Sequence, residues 1–139
     1  MKVVLDCNVV ASGLISPGGP PALVLKALIE GDFEAVISQN ILDEYRRILR
    51  SPKLRRHIPL TPNEVEAFLA SFALTAFWVD DQEVSAPFVT ADPSDDIYLL
   101  AAMEGEANFI VSGDRHLLDL KSRQEIRILN PRDFLHAIK

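Results

Sequence analysis

Short runs of apolar residues recur along the chain, separated by polar stretches that contain glycine and proline. The runs are too short for helices and are rich in β-branched and aromatic residues, so they predict strands. They lie at Val3–Leu5, Ala35–Ile37, Phe77–Val79, Phe109–Val111 and Ile126–Leu129. Because the runs are almost continuously apolar, they indicate strands that are buried on both faces of a parallel sheet.

Helix signals lie between these strands. Pro20-Pro21 opens a helix that extends to about Glu30, and Ser38 is a suitable N-cap for a helix that extends to about Arg50. Further helix starts are predicted at Thr61-Pro62, Asp92-Pro93 (through about Glu104), Asp114 (through Leu120) and Pro131. The alternation of strands and helices predicts an α/β fold in which helices cover both faces of a parallel sheet.

Length and composition are those of one globular domain, residues 1–139. The chain has 48% hydrophobic and 24% charged residues, which excludes a disordered chain. Its one cysteine, Cys7, excludes an internal disulfide framework and fits a reducing compartment. The longest uncharged run, from Cys7 to Leu25, is interrupted by prolines and glycines, so no membrane span is expected and a cytoplasmic protein is the default.

The distribution of charge along the chain bears on nucleic-acid binding differently from the net charge. A net charge of −6 argues by itself against a nucleic-acid partner. However, six basic residues fall within eleven positions: Arg46, Arg47, Arg50, Lys53, Arg55 and Arg56. The segment from Asp80 to Asp96 contains only acidic charges. This separation favours a cation site beside a polyanion-binding surface, although solvated helix faces and loops would explain either segment alone.

Three carboxylates have the same position relative to the predicted sheet. Asp6 ends the first strand, Asp114 follows the strand Phe109–Val111 after a Ser-Gly turn, and Asp96, next to Asp95, begins a helix. The ligand crevice of a parallel α/β sheet lies at the carboxyl ends of its strands, so we expect these acids to meet there.

Helical spacing places Asp96 and a fourth acid, Glu44, beside buried faces. Apolar residues follow Asp96 at i+3, i+4 and i+7, and Glu44 lies between Ile41 and Ile48. An unpaired carboxylate is costly there, and converging carboxylates raise one another's pKa. A divalent cation would offset both effects. Taken singly, Asp114 is equally well explained as a helix cap and Glu44 as an ordinary paired acid.

Small polar residues accompany these acids. Asn8 is two residues after Asp6, Ser38 follows the second strand, and Ser112 is two residues before Asp114. We expect them to orient the carboxylates or metal-bound water. For Ser38, a role as a helix cap is at least as good an interpretation.

Taken together and in order, these motifs resemble the PIN domain family, the PilT N-terminus-like metal-dependent nucleases. The matching segments are Asp6-Cys7-Asn8, Ser38 with Glu44-Tyr45, Asp96 before Leu99-Leu100-Ala101, and Ser112-Gly113-Asp114. No single motif is specific, but the ordered set covers essentially the whole chain. Within the family the chain is most similar to stand-alone bacterial and archaeal toxin components of toxin–antitoxin pairs.

The resemblance implies an α/β/α sandwich and an RNA phosphodiester hydrolase that uses Mg²⁺ or Mn²⁺. It also implies that the acidic metal-binding and catalytic set is Asp6, Glu44, Asp96 and Asp114, supported by Asn8, Ser38 and Ser112. Many members carry a further acid just after the position of Asp114, where this chain has Arg115, and Asp95 is the residue expected to supply the missing charge.

The resemblance suggests partners as well. The basic residues between Arg46 and Arg56 are expected to hold the RNA backbone. A cognate antitoxin protein and a homodimer are the expected protein partners.

Two other functions remain open at this point. A haloacid-dehalogenase-like phosphatase also has an aspartate after its first strand, but it needs a second aspartate where this chain has Asn8. A non-catalytic RNA- or protein-binding module would retain the fold without using the acids. RNA binding that persists under chelation without any cleavage would favour the binding module.

Overall fold

The structure is a computed structural model, and it describes residues 1–80, 93–119, 122–123 and 125–139. Within these ranges, the side chains at positions 93–95, 116 and 122–123 are not described. The predicted cap at Asp92, the side chain of Asp95 and most of the acidic segment therefore lie outside the described part of the chain.

The strands in the described residues form one six-stranded sheet with the order β3-β2-β1-β4-β6-β5. The strands are β1 (Lys2–Leu5), β2 (Glu34–Ile37), β3 (Phe77–Trp78), β4 (Phe109–Val111), β5 (Ser122–Arg123) and β6 (Ile126–Leu129). All neighbouring strands are parallel except β5 and β6, which pair antiparallel. The predicted parallel sheet is therefore confirmed. The short antiparallel edge strand β5 was missed, because its two polar residues leave no apolar pattern.

Helices connect the strands. They are α1 (Cys7–Ile15), α2 (Pro20–Ile29), α3 (Gln39–Leu49), α4 (Pro52–Arg55), α5 (Pro62–Thr75), α6 (Pro93–Glu104), α7 (Arg115–Asp119) and α8 (Pro131–Ala137). The predicted caps of two helices are confirmed, since the Ser38 hydroxyl accepts from the Ile41 amide and the Thr61 hydroxyl from the Glu64 amide. None of the helices in the described ranges combines the length and the apolar character that a membrane span needs.

Burial on both faces of the sheet produces the predicted α/β/α sandwich. The consecutive residues Val3, Val4 and Leu5 of β1 all have 0% exposure, although neighbouring side chains of a strand point to opposite faces. Helix α6 packs against β1, β2 and β4, whereas α8 packs against β6 and α2. The central strand is therefore covered by helices on both sides.

Helix α1 was not predicted from the sequence. Its two adjacent valines and its glycine are poor helix formers, so propensity gives little signal there. The helix is instead stabilised by close packing on α2. A Cβ atom at Gly13 would lie only 2.5 Å from Cδ1 of Leu25 and 3.0 Å from the carbonyl oxygen of Pro21. A larger residue at this position would therefore force Leu25 to shift and would crowd the backbone of α2.

The strand order places the polar strand ends next to one another. From β1 the chain winds outward through β2 and β3, and it then continues on the other side of β1 with β4 and β6. The direction of winding therefore reverses between β1 and β4, which is where ligand crevices of such sheets form. Asp6, Ser38 and Ser112 directly follow β1, β2 and β4, three adjacent strands.

A candidate carboxylate site at the edge of the sheet

A chain of hydrogen bonds joins the ends of β1 and β4. The amide of Asp114 donates to Ser112 Oγ over 2.9 Å, and this hydroxyl donates to Oδ2 of Asp6 over 2.6 Å. The amide of Asp6 in turn donates to the carbonyl oxygen of Val111 over 3.0 Å, which continues the pairing of the two strands. Ser112 therefore fixes the orientation of the Asp6 carboxylate, and it also ties the backbone of Asp114 to it.

Asp6 is a buried acid whose charge is costly. Its exposure is 3%, and none of the ion pairs in the described residues involves it. Burial raises the pKa of Asp6 above its ordinary value, and the nearby charge of Asp114 raises it further. The hydrogen bonds from Ser112 and from the amide of Asn8 offset only part of this effect. A cation beside Asp6 and Asp114 would remove the remaining cost.

Two buried tyrosines fix the backbone on either side of Asp6. The Tyr45 hydroxyl donates to the carbonyl oxygen of Leu5, and the Tyr98 hydroxyl accepts from the Cys7 amide over 3.2 Å. Burial raises the pKa of both tyrosines, so they remain neutral. They bring α3 and α6, which carry Glu44 and Asp96, against the end of β1. Their role was not predicted from the sequence. The available signal was their spacing, since Tyr45 is one residue after Glu44 and Tyr98 is two residues after Asp96.

Glu44 lies on α3 with its side chain 19% exposed. Its carboxylate accepts two hydrogen bonds from the Arg47 guanidinium, 2.7 Å from Nη2 to Oε1 and 3.1 Å from Nε to Oε2. Burial raises the pKa of the Cys7 thiol to about 12, and the charges of Asp6 and Glu44 both contribute. The Glu44 carboxylate itself is held by Arg47.

The other predicted site residues have more varied positions. Asp96 is half-buried on α6, whereas the side chain of Asp95 is not described. Asn8 is exposed, and its backbone amide donates to Oδ1 of Asp6 over 3.4 Å. Ser38 is fully buried, and its hydroxyl caps the helix that carries Glu44.

The fit of a metal ion can be judged from the acids themselves. Among the described side chains, no three His, Cys, Asp or Glu groups are arranged so that they could hold a metal ion together. Mg²⁺ nevertheless keeps several waters and is commonly bound through one or two carboxylates plus substrate phosphate. The adjacent acids Asp6 and Asp114 fit such an open site, because both are oxygen donors and Asp6 has no countercharge in the described ion pairs.

The predicted RNA-binding cluster is partly engaged within the protein. Nε of Arg46 lies 2.9 Å from Glu66, and Nη1 of Arg50 lies 3.7 Å from the same carboxylate. Nη1 of Arg55 donates to the Leu60 carbonyl oxygen over 2.9 Å. The exposed cations of this face are Arg47, Arg50, Lys53 and Arg56.

A recess lies beside the acids. Its volume is about 260 Å³. Asn8, two residues after Asp6, and Gly113, directly before Asp114, form part of its wall. Pro20, Pro21 and Pro131 supply apolar surface, and Arg132 also lines it. The recess therefore lies next to the sequence neighbours of Asp6 and Asp114, and its wall includes a cation.

Comparisons with known proteins concern the sequence family and the fold. The family model for the PIN domain matches residues 2–116. An uncharacterized protein of Methanocaldococcus jannaschii, MJ1680, is 27% identical over 147 aligned positions, which cover 100% of this chain and 92% of that protein. The crystal structure of VapBC2 from Rickettsia felis, bound to a DNA fragment from its promoter, has the same fold. The TM-score is 0.59 at 14% identity, and the match covers 94% of this chain and 98% of that one.

Proposed function

Since this chain belongs to the PIN domain family, whose members are generally nucleases, we propose that it is a divalent-metal-dependent ribonuclease. The observation that carries the proposal is the buried carboxylate of Asp6, which interacts with Asp114 at the switch point of the sheet. A carboxylate held there costs free energy of folding, and a site for a cation and a phosphodiester explains why it is present.

In this proposal Asp6 and Asp114 hold the cation, and Glu44 and Asp96 approach it from α3 and α6. Ser112 keeps Oδ2 of Asp6 in one orientation through its 2.6 Å hydrogen bond. When bound, Mg²⁺ or Mn²⁺ lowers the pKa of a coordinated water and offsets negative charge that develops on the phosphate. Asp95 remains a candidate for additional negative charge next to Asp96.

The chain itself would bind and position the RNA. The exposed cations Arg47, Arg50, Lys53 and Arg56 lie on or just after the helix that carries Glu44, so they can contact phosphates next to the acids. The recess beside Asn8 and Gly113 provides space for the nucleotide that flanks the scissile bond. In this proposal the substrate is RNA in the cytoplasm.

The test is cleavage of an end-labelled RNA pool in Mg²⁺, in Mn²⁺ and in EDTA. Asp96→Asn should lose the metal-dependent cleavage. Asp43→Asn is the matched control, because Asp43 is exposed on α3 and contacts Gln39 and Arg46 rather than the site. Equal cleavage by both variants would contradict the proposal. RNA binding without cleavage under any of the metal conditions would favour a non-catalytic binding module.

We further propose that the protein is the toxin of a toxin–antitoxin pair and that it forms a homodimer. The match of the PIN domain model to residues 2–116, which are most of this chain, supports this role. Expression of the wild-type protein should arrest bacterial growth, and Asp96→Asn should abolish the arrest. Growth arrest by the variant, or no arrest by the wild type, would contradict the toxin role.

Light scattering after gel filtration measures the proposed homodimer directly, and a mass of one chain would contradict it.

A further inference from the structure

The ion pair between Glu44 and Arg47 joins a candidate metal ligand to a candidate RNA-binding residue. The two side chains are one helical turn apart on α3 and form a two-point contact, with distances of 2.7 Å and 3.1 Å. The carboxylate lies at the inner end of the pair, with a side chain that is 19% exposed, whereas the side chain of Arg47 is 67% exposed. The carboxylate is thus the more buried partner of the pair, and the guanidinium is the partner that solvent reaches.

The neighbouring arginines of α3 are paired differently. Arg46 and Arg50 contact Glu66 on α5, and Arg46 also lies 3.8 Å from Asp43. Neither of these acids belongs to the candidate site. The Glu44–Arg47 pair differs from these, because its acid is a candidate metal ligand.

We propose that Arg47 is a positioning residue that holds Glu44 away from the cation until RNA binds, and that it then transfers its contact to an RNA phosphate. The proposal rests on the ribonuclease function proposed above. The planar guanidinium makes the same two-point contact with a phosphate as with a carboxylate. An RNA phosphate therefore competes with Glu44 for Arg47, and a cation competes with Arg47 for Glu44.

Binding of either ligand, RNA or the cation, breaks the Glu44–Arg47 pair that competes with the other ligand. RNA bound to Arg47 releases the Glu44 carboxylate for the cation, and a cation bound to Glu44 releases the guanidinium for RNA. By thermodynamic linkage the two effects are equal in size, so RNA and cation bind cooperatively through this pair.

The test uses two binding measurements on the full chain. Mn²⁺ affinity is measured without RNA, from the spin-resonance signal of free Mn²⁺. RNA affinity is measured in EDTA, from the anisotropy of a fluorescein-labelled single-stranded RNA. The variants are Arg47→Ala, Glu44→Gln and Arg50→Ala. Arg50→Ala is the matched control for the Mn²⁺ measurement, because it removes an arginine of similar exposure that pairs with Glu66.

Arg47→Ala should bind Mn²⁺ about two- to fivefold more tightly than Arg50→Ala, the factor that corresponds to loss of a competing, partly exposed ion pair. It should also bind RNA more weakly than the wild type. A purely structural role of Arg47 would not change the two affinities in opposite directions. Glu44→Gln should weaken Mn²⁺ binding.

Three results would overturn the proposal and leave the ribonuclease function intact. They are equal Mn²⁺ affinity of Arg47→Ala and Arg50→Ala, undiminished RNA affinity of Arg47→Ala, and undiminished Mn²⁺ affinity of Glu44→Gln. A wild-type protein that binds no Mn²⁺ would instead contradict the proposed function itself.

Discussion

Replacement of Ser112 by alanine tests the hydrogen-bond chain that organises the candidate site. The Ser112 hydroxyl is fully buried, donates to the Asp6 carboxylate over 2.6 Å and accepts from the Asp114 amide over 2.9 Å. A hydrogen bond to a charged group contributes about 1.5–3 kcal/mol. Ser112→Ala should therefore lower the free energy of unfolding by about this amount near neutral pH, or lower Tm by roughly 5–15 °C for a chain of this length.

The loss of stability in Ser112→Ala should depend on pH, because the hydrogen bond from Ser112 is made to an ionisable acid, Asp6. The pKa of folded Asp6 is raised, so the contribution of Asp6 to stability is greatest below its unfolded pKa of 3.8 and is lost as pH rises through the folded pKa. The bond from Ser112 lowers this pKa, and its removal raises the pKa further. Ser112→Ala should therefore destabilise the protein more at about pH 8 than at about pH 4.

Urea unfolding of the wild type and the variant at both pH values measures the difference. Ser51→Ala is a suitable control, because the Ser51 hydroxyl also donates and accepts, but to the Ile48 carbonyl oxygen and from the Leu54 amide. Ser51→Ala should lower the free energy of unfolding by about 1 kcal/mol, and by the same amount at both pH values. An equal loss at both pH values for Ser112→Ala would refute the inferred bond to an ionised Asp6.

Further predictions follow from the buried groups and from one close helix contact. Asp6→Asn should raise the free energy of unfolding near neutral pH while lowering RNA cleavage, because it removes a charge whose pKa is raised by burial; a less stable variant in urea would contradict this. Cys7, whose pKa burial raises to about 12, should resist alkylation in the native protein and react in urea, and rapid native labelling would count against its burial. Gly13→Ala should destabilise the protein by about 1–3 kcal/mol, because its Cβ would lie 2.5 Å from Cδ1 of Leu25 and 3.0 Å from the backbone oxygen of Pro21. Gly18→Ala, whose Cβ would meet nothing within 4 Å, should have little effect, and equal losses would contradict the contact.

The strands and several helix starts could be predicted because their signals are local. Apolar runs such as Val3–Leu5 and caps such as Ser38 and Thr61 are visible in a few consecutive residues. The positions of Asp6 and Ser112 also followed, because the carboxyl ends of parallel strands share one edge of the sheet. Helix α1 was missed, since it depends on packing of Gly13 against α2 rather than on its own propensity.

The partners of the candidate residues could not be predicted in the same way. The Tyr98 hydroxyl meets the Cys7 amide across 91 positions of the chain, and Arg46 meets Glu66 across 20. Such pairs are set by how helices dock on the sheet, and they leave no spacing pattern in the sequence. The pair of Arg47 with Glu44 is three residues apart, yet the basic cluster alone does not show which arginine contacts which acid.

A double-mutant cycle of RNA cleavage tests most directly whether Asp6 and Asp114 form one metal site. Cleavage rates in Mg²⁺ are compared for wild type, Asp6→Asn, Asp114→Asn and the double variant, with EDTA as the metal-free reference. If the two carboxylates hold one cation, either single substitution should remove most of the metal-dependent rate, and the double variant should lose little more. Independent, multiplicative losses, or cleavage that persists in EDTA, would contradict a shared metal site.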